Sequence, residues 1–174
     1  RETESLFAQA VELRPNRYWY YSMWALWKMF CLGQEWAHNA SAEFERAAEF
    51  LRQATRKNSQ DALARAIYGH FQSFWRRSLD HGRALLDESL HLNPYSPFAW
   101  MLSSATSSYS GRPEVALEEL ERSRELCPVE PHFEFMFNSA MCIAHLFRHD
   151  ADQAAEWGRR TLQENPGFTN GHKQ

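Results

Sequence analysis

A short pattern recurs along the chain at nearly constant spacing. A small residue is followed three positions later by an apolar or acidic residue, and two positions after that by proline. Four segments fit this pattern: Ala10-Leu13-Pro15, Ser89-Leu92-Pro94, Ser123-Leu126-Pro128 and Thr161-Glu164-Pro166. Pro94 and Pro128 are 34 residues apart, and Pro128 and Pro166 are 38 apart. A period near 34 residues is typical of paired antiparallel helices that stack into a solenoid.

The composition favours helices along the whole chain, with three valines and two isoleucines against 21 alanines and 17 leucines. Pro97, Pro113 and Pro131 stand where a first helical residue is expected, and Asp150 with Gln153 resembles a capping box. The sequence therefore predicts an all-α chain, an α–α superhelix of about nine antiparallel helices in four to five degenerate repeats. We expect the helices at about 2–13, 17–32, 42–57, 62–77, 80–91, 97–109, 113–126, 131–148 and 151–164.

The repeat resembles that of the tetratricopeptide repeat family, in which an aromatic residue, three small residues and a closing proline recur. Residues 97–128 match it best, with Trp100 as the aromatic residue, Gly111 at the turn, and Ser104, Ala116 and Ser123 as the small residues. In the other repeats the small residues are Ala25, Gly69 and Cys142, then Ala47, Gly82 and Ala154, then Ala10, Ala54, Ser89 and Thr161. Arg65 and Gly158 depart from the pattern. Small residues are needed because the paired helices approach closely.

Charge and cysteine content exclude several classes of function. The net charge is −3 without a run of lysines or arginines, which argues against direct binding of nucleic acid or of an anionic membrane. The most apolar stretch, Tyr18–Phe30, is too short to span a bilayer. Cys31, Cys127 and Cys142 form no CxxC pair, so neither a disulfide framework nor a zinc ribbon is indicated. We therefore expect a cytoplasmic location.

No familiar catalytic or phosphate-binding motif is present, and we predict no catalytic residue, metal site or cofactor. Cys142, His145 and His149 share one helical face and are metal-binding types, but helix packing accounts for them equally well. Glu130, His132 and Glu134 flank a proline that explains their geometry. The carboxylates of 113–126, which are Glu114, Glu118, Glu119, Glu121 and Glu125, are expected on outer helices, with Glu118 paired to Arg122 in solvent.

The run Tyr18–Phe30 is apolar on nearly every face, so one packed side cannot bury it. We expect Tyr21, Trp24 and Lys28 to face the paired helix. Projection of the inner helices onto a concave face predicts twelve partner-binding residues: Trp19, Met23, Leu26, Phe30, His70, Phe74, Phe98, Met101, Tyr109, Met136, Ile143 and Phe147. The alternative is that the aromatic residues of Tyr18–Phe30 only pack within the core.

The chain is expected to be a non-enzymatic module that binds an apolar protein or peptide segment, or another domain of its own chain, in the concave groove. In chaperone-binding members of the family, charged and amide side chains clamp a peptide carboxylate, and such residues are absent at these positions. Alternatives are a homodimerisation module or a ligand-sensing domain with His70, His145 or His149 in a closed pocket.

Three segments resemble repeat regions of bacterial class III adenylate cyclases and winged-helix transcriptional regulators: 84–87, 92–94 and 156–160. This resemblance implies a regulatory part of a bacterial signalling protein. Residues 1–166 are expected to form a single domain, followed by a tail at 167–174, within a fragment of a longer protein.

Overall fold

The computed structural model describes residues 2–128 and 134–168, and every regular element in these ranges is a helix. The helices are α1 Glu2–Leu13, α2 Tyr18–Gly33, α3 Ala40–Lys57, α4 Ala62–Phe74, α5 Leu79–Leu92, α6 Pro97–Tyr109, α7 Pro113–Leu126, α8 Glu134–Phe147 and α9 Ala151–Glu164. Pro131 and the predicted start of a helix there lie outside the described residues.

The helices form two rows. Helix α2 pairs with α3, α4 with α5, α6 with α7 and α8 with α9. The first helices of these pairs also contact one another in order, from α2 through α4 and α6 to α8. We call these four the inner helices, and α1, α3, α5, α7 and α9 the outer helices. This arrangement confirms the predicted all-α solenoid.

Small residues let the paired helices approach closely, most of all in α4 and α5. A Cβ atom on Gly82 would lie 2.0 Å from Ser73 Oγ and 2.7 Å from the Gly69 carbonyl oxygen, and one on Gly69 would lie 2.8 Å from the Gly82 carbonyl oxygen. Neither position can therefore hold a larger residue without separating the helices.

In α5 and α7, the small residue near the C-terminal end of the outer helix also joins it to its inner partner by a hydrogen bond. Ser89 Oγ donates to the Ala62 carbonyl at 2.7 Å, and Ser123 Oγ donates to the Pro97 carbonyl at 2.8 Å. The acceptors are carbonyls of the first residues of α4 and α6. The bond therefore sets how far α5 and α7 slide along their partners. In α3 the equivalent residue is Ala54, which has no hydroxyl, and in α9 Thr161 donates instead to the Trp157 carbonyl of its own helix, at 2.9 Å.

Similar left-handed turns end three of the inner helices. Glu35, Gly111 and His149 have φ values of 58°, 70° and 64°. In each turn the next residue donates its N–H to a carbonyl five residues earlier, as Arg112 does to Ser107 at 3.0 Å. Only Gly111 adopts this conformation without steric cost.

Helix α4 was predicted to reach residue 77 but ends at Phe74, because Arg77 adopts a φ of 57°. A left-handed residue cannot continue a right-handed helix. The Ser78 N–H instead donates to the Gln72 carbonyl at 2.9 Å. The remaining described helix ends agree with the prediction to within two residues.

One of the carboxylates expected on outer helices lies on α7, as predicted, but is buried there. Glu119 is 5% exposed, and its two oxygens accept hydrogen bonds from Ser103 Oγ at 2.8 Å and Ser107 Oγ at 2.7 Å. Arg83 of α5 donates to the same carboxylate at 2.7 Å. Glu119 is buried on this outer helix because the serines of α6 and an arginine of the preceding repeat supply hydrogen-bond partners that cannot be recognised from the sequence of α7 alone. Arg122 likewise pairs with Glu125, at 2.8 Å, rather than with Glu118.

We expect Gly82→Ala to lower the free energy of unfolding by about 1–3 kcal/mol, because its methyl group meets backbone of α4 and overpacking outweighs the gain in helix propensity. Gly158→Ala is the matched control, since its Cβ would meet only Cys142 Sγ, at 3.6 Å. That variant should be neutral or more stable by up to about 1 kcal/mol. Urea denaturation followed by circular dichroism measures both, and equal effects would contradict the close approach of α4 and α5.

Glu119→Gln should lower the free energy of unfolding by about 1–3 kcal/mol, because Arg83 then keeps, among the described residues, a charged partner only in the exposed Asp87, at 2.8 Å. Glu118→Gln, the same change on the exposed neighbouring residue, should alter it by less than about 0.5 kcal/mol. Thermal and urea unfolding of the two variants tests this. A similar response from both would show that the buried network does not stabilise the fold.

Candidate functional site

A groove of about 480 Å³ runs along the inner helices. Each inner helix contributes to it: α2 near its C-terminal end, α4 from His70 onwards, α6 from Met101 onwards, and α8 over most of its turns. The lining residues are Met29, Phe30, Leu32, Gly33, His70, Phe71, Phe74, Trp75, Arg77, Met101, Leu102, Ala105, Tyr109, Met136, Ser139, Ala140, Ile143, Leu146, Phe147 and Phe168. The surface is therefore mainly aliphatic and aromatic. We call it the inner groove.

One wall of the inner groove is a ladder of aromatic rings at the C-terminal ends of three inner helices. Phe74 of α4 lies 5.9 Å from Tyr109 of α6, and Tyr109 lies 6.0 Å from Phe147 of α8, measured between ring centroids. The three residues are 35 and 38 positions apart, so the repeat itself places them side by side. His70 extends the ladder by stacking on Phe74 at 5.8 Å.

A second aromatic cluster closes the groove beside α2. Phe30 lies 6.5 Å from Phe135, and Phe135 lies 5.0 Å from Phe168. Phe168 follows α9 in a turn, where its N–H donates to the Asn165 carbonyl at 3.0 Å, and it is 8% exposed. The predicted domain boundary placed this residue in the tail. Its side chain forms part of the groove wall.

Among the described residues that line the inner groove, Arg77 alone carries a permanent charge. Its guanidinium carbon lies 5.8 Å from the centre of the Phe74 ring, close enough for a cation–π contact. Arg77 was not among the predicted groove residues, because the fourth helix was expected to continue through residue 77. The left-handed backbone brings the side chain to the groove edge, and the sequence before it contains no glycine that would have indicated the turn.

Burial keeps the two ionisable groups of the aromatic ladder uncharged at neutral pH. It lowers the pKa of His70 to about 4 and raises the pKa of Tyr109 to about 12. His70 Nδ1 is buried and has no hydrogen-bond partner within residues 2–128 and 134–168. The ladder therefore presents neutral rings to a guest.

The structure brings most of the predicted partner-binding residues together. Eight line the inner groove: Phe30, His70, Phe74, Met101, Tyr109, Met136, Ile143 and Phe147. Leu26 and Phe98 line a smaller pocket of about 250 Å³, which also touches Met101. Trp19 and Met23 line neither pocket and are 47% and 36% exposed. These two belong to the first two turns of α2.

The apolar run of α2 is divided among several neighbours. Trp24 stacks on Phe50 of α3 at 4.2 Å, and Tyr21 lies 6.4 Å from the same ring. Lys28 is 5% exposed and forms ion pairs with Glu4 at 2.6 Å and with Glu43 at 2.5 Å. Tyr21, Trp24 and Lys28 therefore face the paired helix, as their spacing predicts.

The residues weighed as metal ligands lie in different surroundings. Cys142 is packed against Gly158 of α9, and His145 is buried, with Nδ1 3.6 Å from Asp150 Oδ2. His149 forms the left-handed turn after α8. Within residues 2–128 and 134–168, no group of three histidine, cysteine, aspartate or glutamate side chains is placed to hold a metal ion. Glu130 and His132 fall outside these ranges.

A search of the described helices for a membrane-spanning segment finds none with the required length and apolar character.

Comparison with known proteins places the fold. No protein-family model and no curated protein sequence matches the chain. Its structure is similar to that of PilW, a widely conserved type IV pilus biogenesis factor, with 16% identity, a TM-score of 0.68, and coverage of 94% of this chain and 69% of that one. YrrB, a TPR protein with an unusual peptide-binding site, is 14% identical, with a TM-score of 0.53 and coverage of 97% and 98%. MamA is 15% identical, with a TM-score of 0.54 and coverage of 92% and 79%. These likenesses confirm the tetratricopeptide-type fold.

Acid should destabilise the folded chain through His70. In the unfolded chain a histidine binds its proton near pH 6.5, whereas folded His70 does so only near pH 4, so unfolding takes up a proton between these values. Stability should therefore fall as the pH drops from 6.5 to 4, by up to about 3 kcal/mol from this group, and should not change through it above pH 7.

His70→Gln removes this titration. The wild-type loss of unfolding free energy between pH 7 and pH 4 should exceed that of His70→Gln, whereas exposed His91→Gln, which loses an imidazole at the surface, should match the wild type. Urea unfolding at half-unit pH intervals measures the difference. Parallel pH profiles for the wild type and His70→Gln would contradict the burial of this side chain.

Proposed function

We propose that this chain is a protein-interaction module that holds an apolar segment of a partner protein in the inner groove. The observation that carries the proposal is the groove itself, in which four successive repeats present aliphatic and aromatic side chains around a volume of about 480 Å³. An open concave surface of this kind buries the apolar side chains of a bound segment. Each square ångström of apolar surface removed from water contributes about 25 cal/mol before the costs of association.

The chemistry of the groove favours an apolar guest over an acidic peptide end. Arg77 stands at the edge and already contacts Phe74. The adjoining ladder positions hold His70, Tyr109 and Phe147, and burial keeps the first two neutral at pH 7. A carboxylate moved into such surroundings loses hydration without gaining a set of charged partners. The proposal therefore differs from the carboxylate clamp of chaperone-binding tetratricopeptide proteins.

The described lining residues also favour binding over catalysis. They are mostly hydrocarbon and aromatic side chains, and Ser139 and Tyr109 contribute the hydroxyls. Nucleophilic catalysis requires a base within hydrogen-bond reach of the nucleophile. His70 stacks on Phe74, and its buried Nδ1 has no hydrogen-bond partner in the part of the chain that the structure describes. The comparisons support this view, since YrrB is itself described as a TPR protein with a peptide-binding site.

We further propose that the module regulates a larger bacterial signalling protein in the cytoplasm and occupies residues 1–166 as a single domain, with Phe168 of the segment that follows completing the groove wall. The support is the resemblance of 84–87, 92–94 and 156–160 to repeat regions of adenylate cyclases and winged-helix regulators. In such a protein the guest of the groove would be either a partner protein or another domain of the same chain.

Selection from a library of displayed twelve-residue peptides tests the groove directly, because the library samples many candidate segments at once. We expect the selected peptides to be rich in large apolar residues. Ile143→Gln and Phe147→Gln should each weaken the binding of a selected peptide by about tenfold, because a polar side chain replaces hydrocarbon on the groove surface. Isothermal titration calorimetry measures the affinities.

Tyr95→Gln provides the control, since Tyr95 is 74% exposed and lies outside the groove. It should bind the selected peptide as the wild type does. Acidic peptides as the dominant class, or equal binding by all variants, would contradict an apolar groove. Stabilisation by a small molecule in place of any peptide would favour the ligand-sensing alternative.

A further inference from the structure

A second opening, of about 820 Å³, is bounded by the outer helices α7 and α9 and by the first half of the inner helix α8. Its lining residues fall within 121–128, 134–141 and 157–164, and we call it the outer cleft. None of its lining residues also lines the inner groove. An inference about the outer cleft therefore does not rest on the proposed function.

One position of the inner helices has a long side chain in three repeats. It lies four residues before the small residue of the helix and is Tyr21 in α2, Arg65 in α4 and Trp100 in α6. Tyr21 and Trp100 each donate a side-chain hydrogen bond to the carbonyl of the proline six residues earlier, at 3.3 and 2.9 Å. Arg65 donates to Glu88 of α5 at 3.0 Å. Each of these side chains thus has a polar partner within the chain.

In α8 the equivalent residue is Asn138, whose short side chain lies at the base of the outer cleft. It lines the cleft and is 3% exposed. Its Oδ1 is buried and has no hydrogen-bond partner within residues 2–128 and 134–168. A buried amide oxygen without a donor is costly, so native structures normally supply one. A guest that brings an N–H group into the cleft would supply the partner that this repeat lacks.

The charge of the lining favours a cationic donor. Among the described lining residues, four glutamates stand against two arginines. The arginines are already paired within the chain, as Arg124 is with both oxygens of Glu134, at 2.9 and 2.8 Å. Glu121 of α7 and Glu164 of α9 form no ion pair with any residue that the structure describes. Their carboxylates lie on two different walls of the cleft, where they attract a cation.

The aromatic side chains favour a guanidinium group over other cations. Phe137 and Trp157 meet edge to face, with 6.4 Å between their ring centroids. The guanidinium carbon of Arg124 lies 3.9 Å from the centre of the Phe137 ring, and that of Arg160 lies 4.6 Å from the centre of the Trp157 ring. The cleft thus already holds two guanidinium groups against aromatic rings, each paired with a carboxylate. A planar guanidinium group of a guest can make the same contacts.

We infer that the outer cleft binds an arginine side chain of a partner polypeptide. The guest guanidinium donates to Asn138 Oδ1 and pairs with Glu121 and Glu164, while its hydrocarbon stem packs against Trp157. The volume of about 820 Å³ exceeds that of one side chain and leaves room for the backbone and neighbours of the arginine. The chain itself offers a precedent, since the equivalent position of α4 is Arg65, paired with a glutamate.

A capped pentapeptide, with one arginine between two pairs of alanines, serves as the probe. Two-dimensional NMR of ¹⁵N-labelled protein follows its binding, and we expect shifts of the Trp157 indole N–H and Asn138 side-chain amide signals. The same peptide with citrulline keeps the shape and the N–H donors but has no charge, and it should bind at least about tenfold more weakly. A lysine peptide should also bind more weakly, because an ammonium group cannot stack flat on a ring.

Variants of the protein test the same contacts. Combining Glu121→Gln with Glu164→Gln should weaken binding of the arginine peptide by about tenfold, and Asn138→Leu, a change of similar size, should weaken it by about fivefold or more. Glu118→Gln, an exposed change on α7 outside the cleft, should bind as the wild type does. So should Phe147→Gln in the inner groove, which separates this test from that of the proposed function. Circular dichroism checks folding, and if the buried Asn138→Leu variant does not fold, the glutamate variant decides.

Three results would overturn the inference: unchanged Trp157 and Asn138 signals with the arginine peptide, equal binding of the citrulline peptide, or normal binding by the double glutamate variant. Equal binding of the lysine peptide would show that the cleft recognises charge alone and would overturn the assignment to arginine. Propylguanidinium, which is the arginine side chain without a backbone, should bind more weakly than the peptide. If it binds as tightly, the occupant is a small molecule and the assignment to a polypeptide is wrong.

Discussion

The close approach of the paired helices is the constraint on which the rest of the structure depends. Between Gly69 and Gly82 the backbones leave no room for even one added methyl group. Because the outer helix is held so near, its large side chains pass beside the inner helix and reach the next repeat, as Leu86 does in packing with Ala99 and Leu102. Small residues within a helix pair thus allow the hydrophobic contacts between pairs, and the same packing recurs from one pair to the next along the solenoid.

Polar side chains inside the solenoid set the register between helices. Apolar contacts fix how near two helices lie but only weakly fix how far one slides along the other. The bonds from Ser89 to Ala62 and from Ser123 to Pro97 set that register, and the Glu119 cluster joins three consecutive helices. Buried polar groups retain these geometries because an unmade bond is costly. Because these buried polar bonds set the register, the groove wall does not need polar side chains. It can consist of aromatic rings whose positions follow from the repeat.

The sequence predicts the fold well because its period and its small residues act locally. Eight of the twelve predicted site residues line the groove for the same reason, since position within an inner helix decides which side chains share a face. The features that the sequence analysis did not predict depend on contacts beyond one helix. Arg77 reaches the groove through a left-handed turn without glycine, Phe168 through a chain reversal after α9, and Glu119 is buried by partners from two other helices. Periodicity contains no information about such contacts.

The all-round apolar character of α2 has a structural cause in its position at the end of the described row. An inner helix meets its outer partner, the following inner helix, the groove and the preceding repeat. In α2, Trp24 meets the partner α3, Met29 and Phe30 line the groove, and Met23 and Trp27 point to the place of a preceding repeat. Interior helices such as α6 show the same distribution, with Leu102 buried where Met23 is exposed. Helix α2 therefore has the composition of an interior helix, although among the described residues no preceding repeat covers Met23.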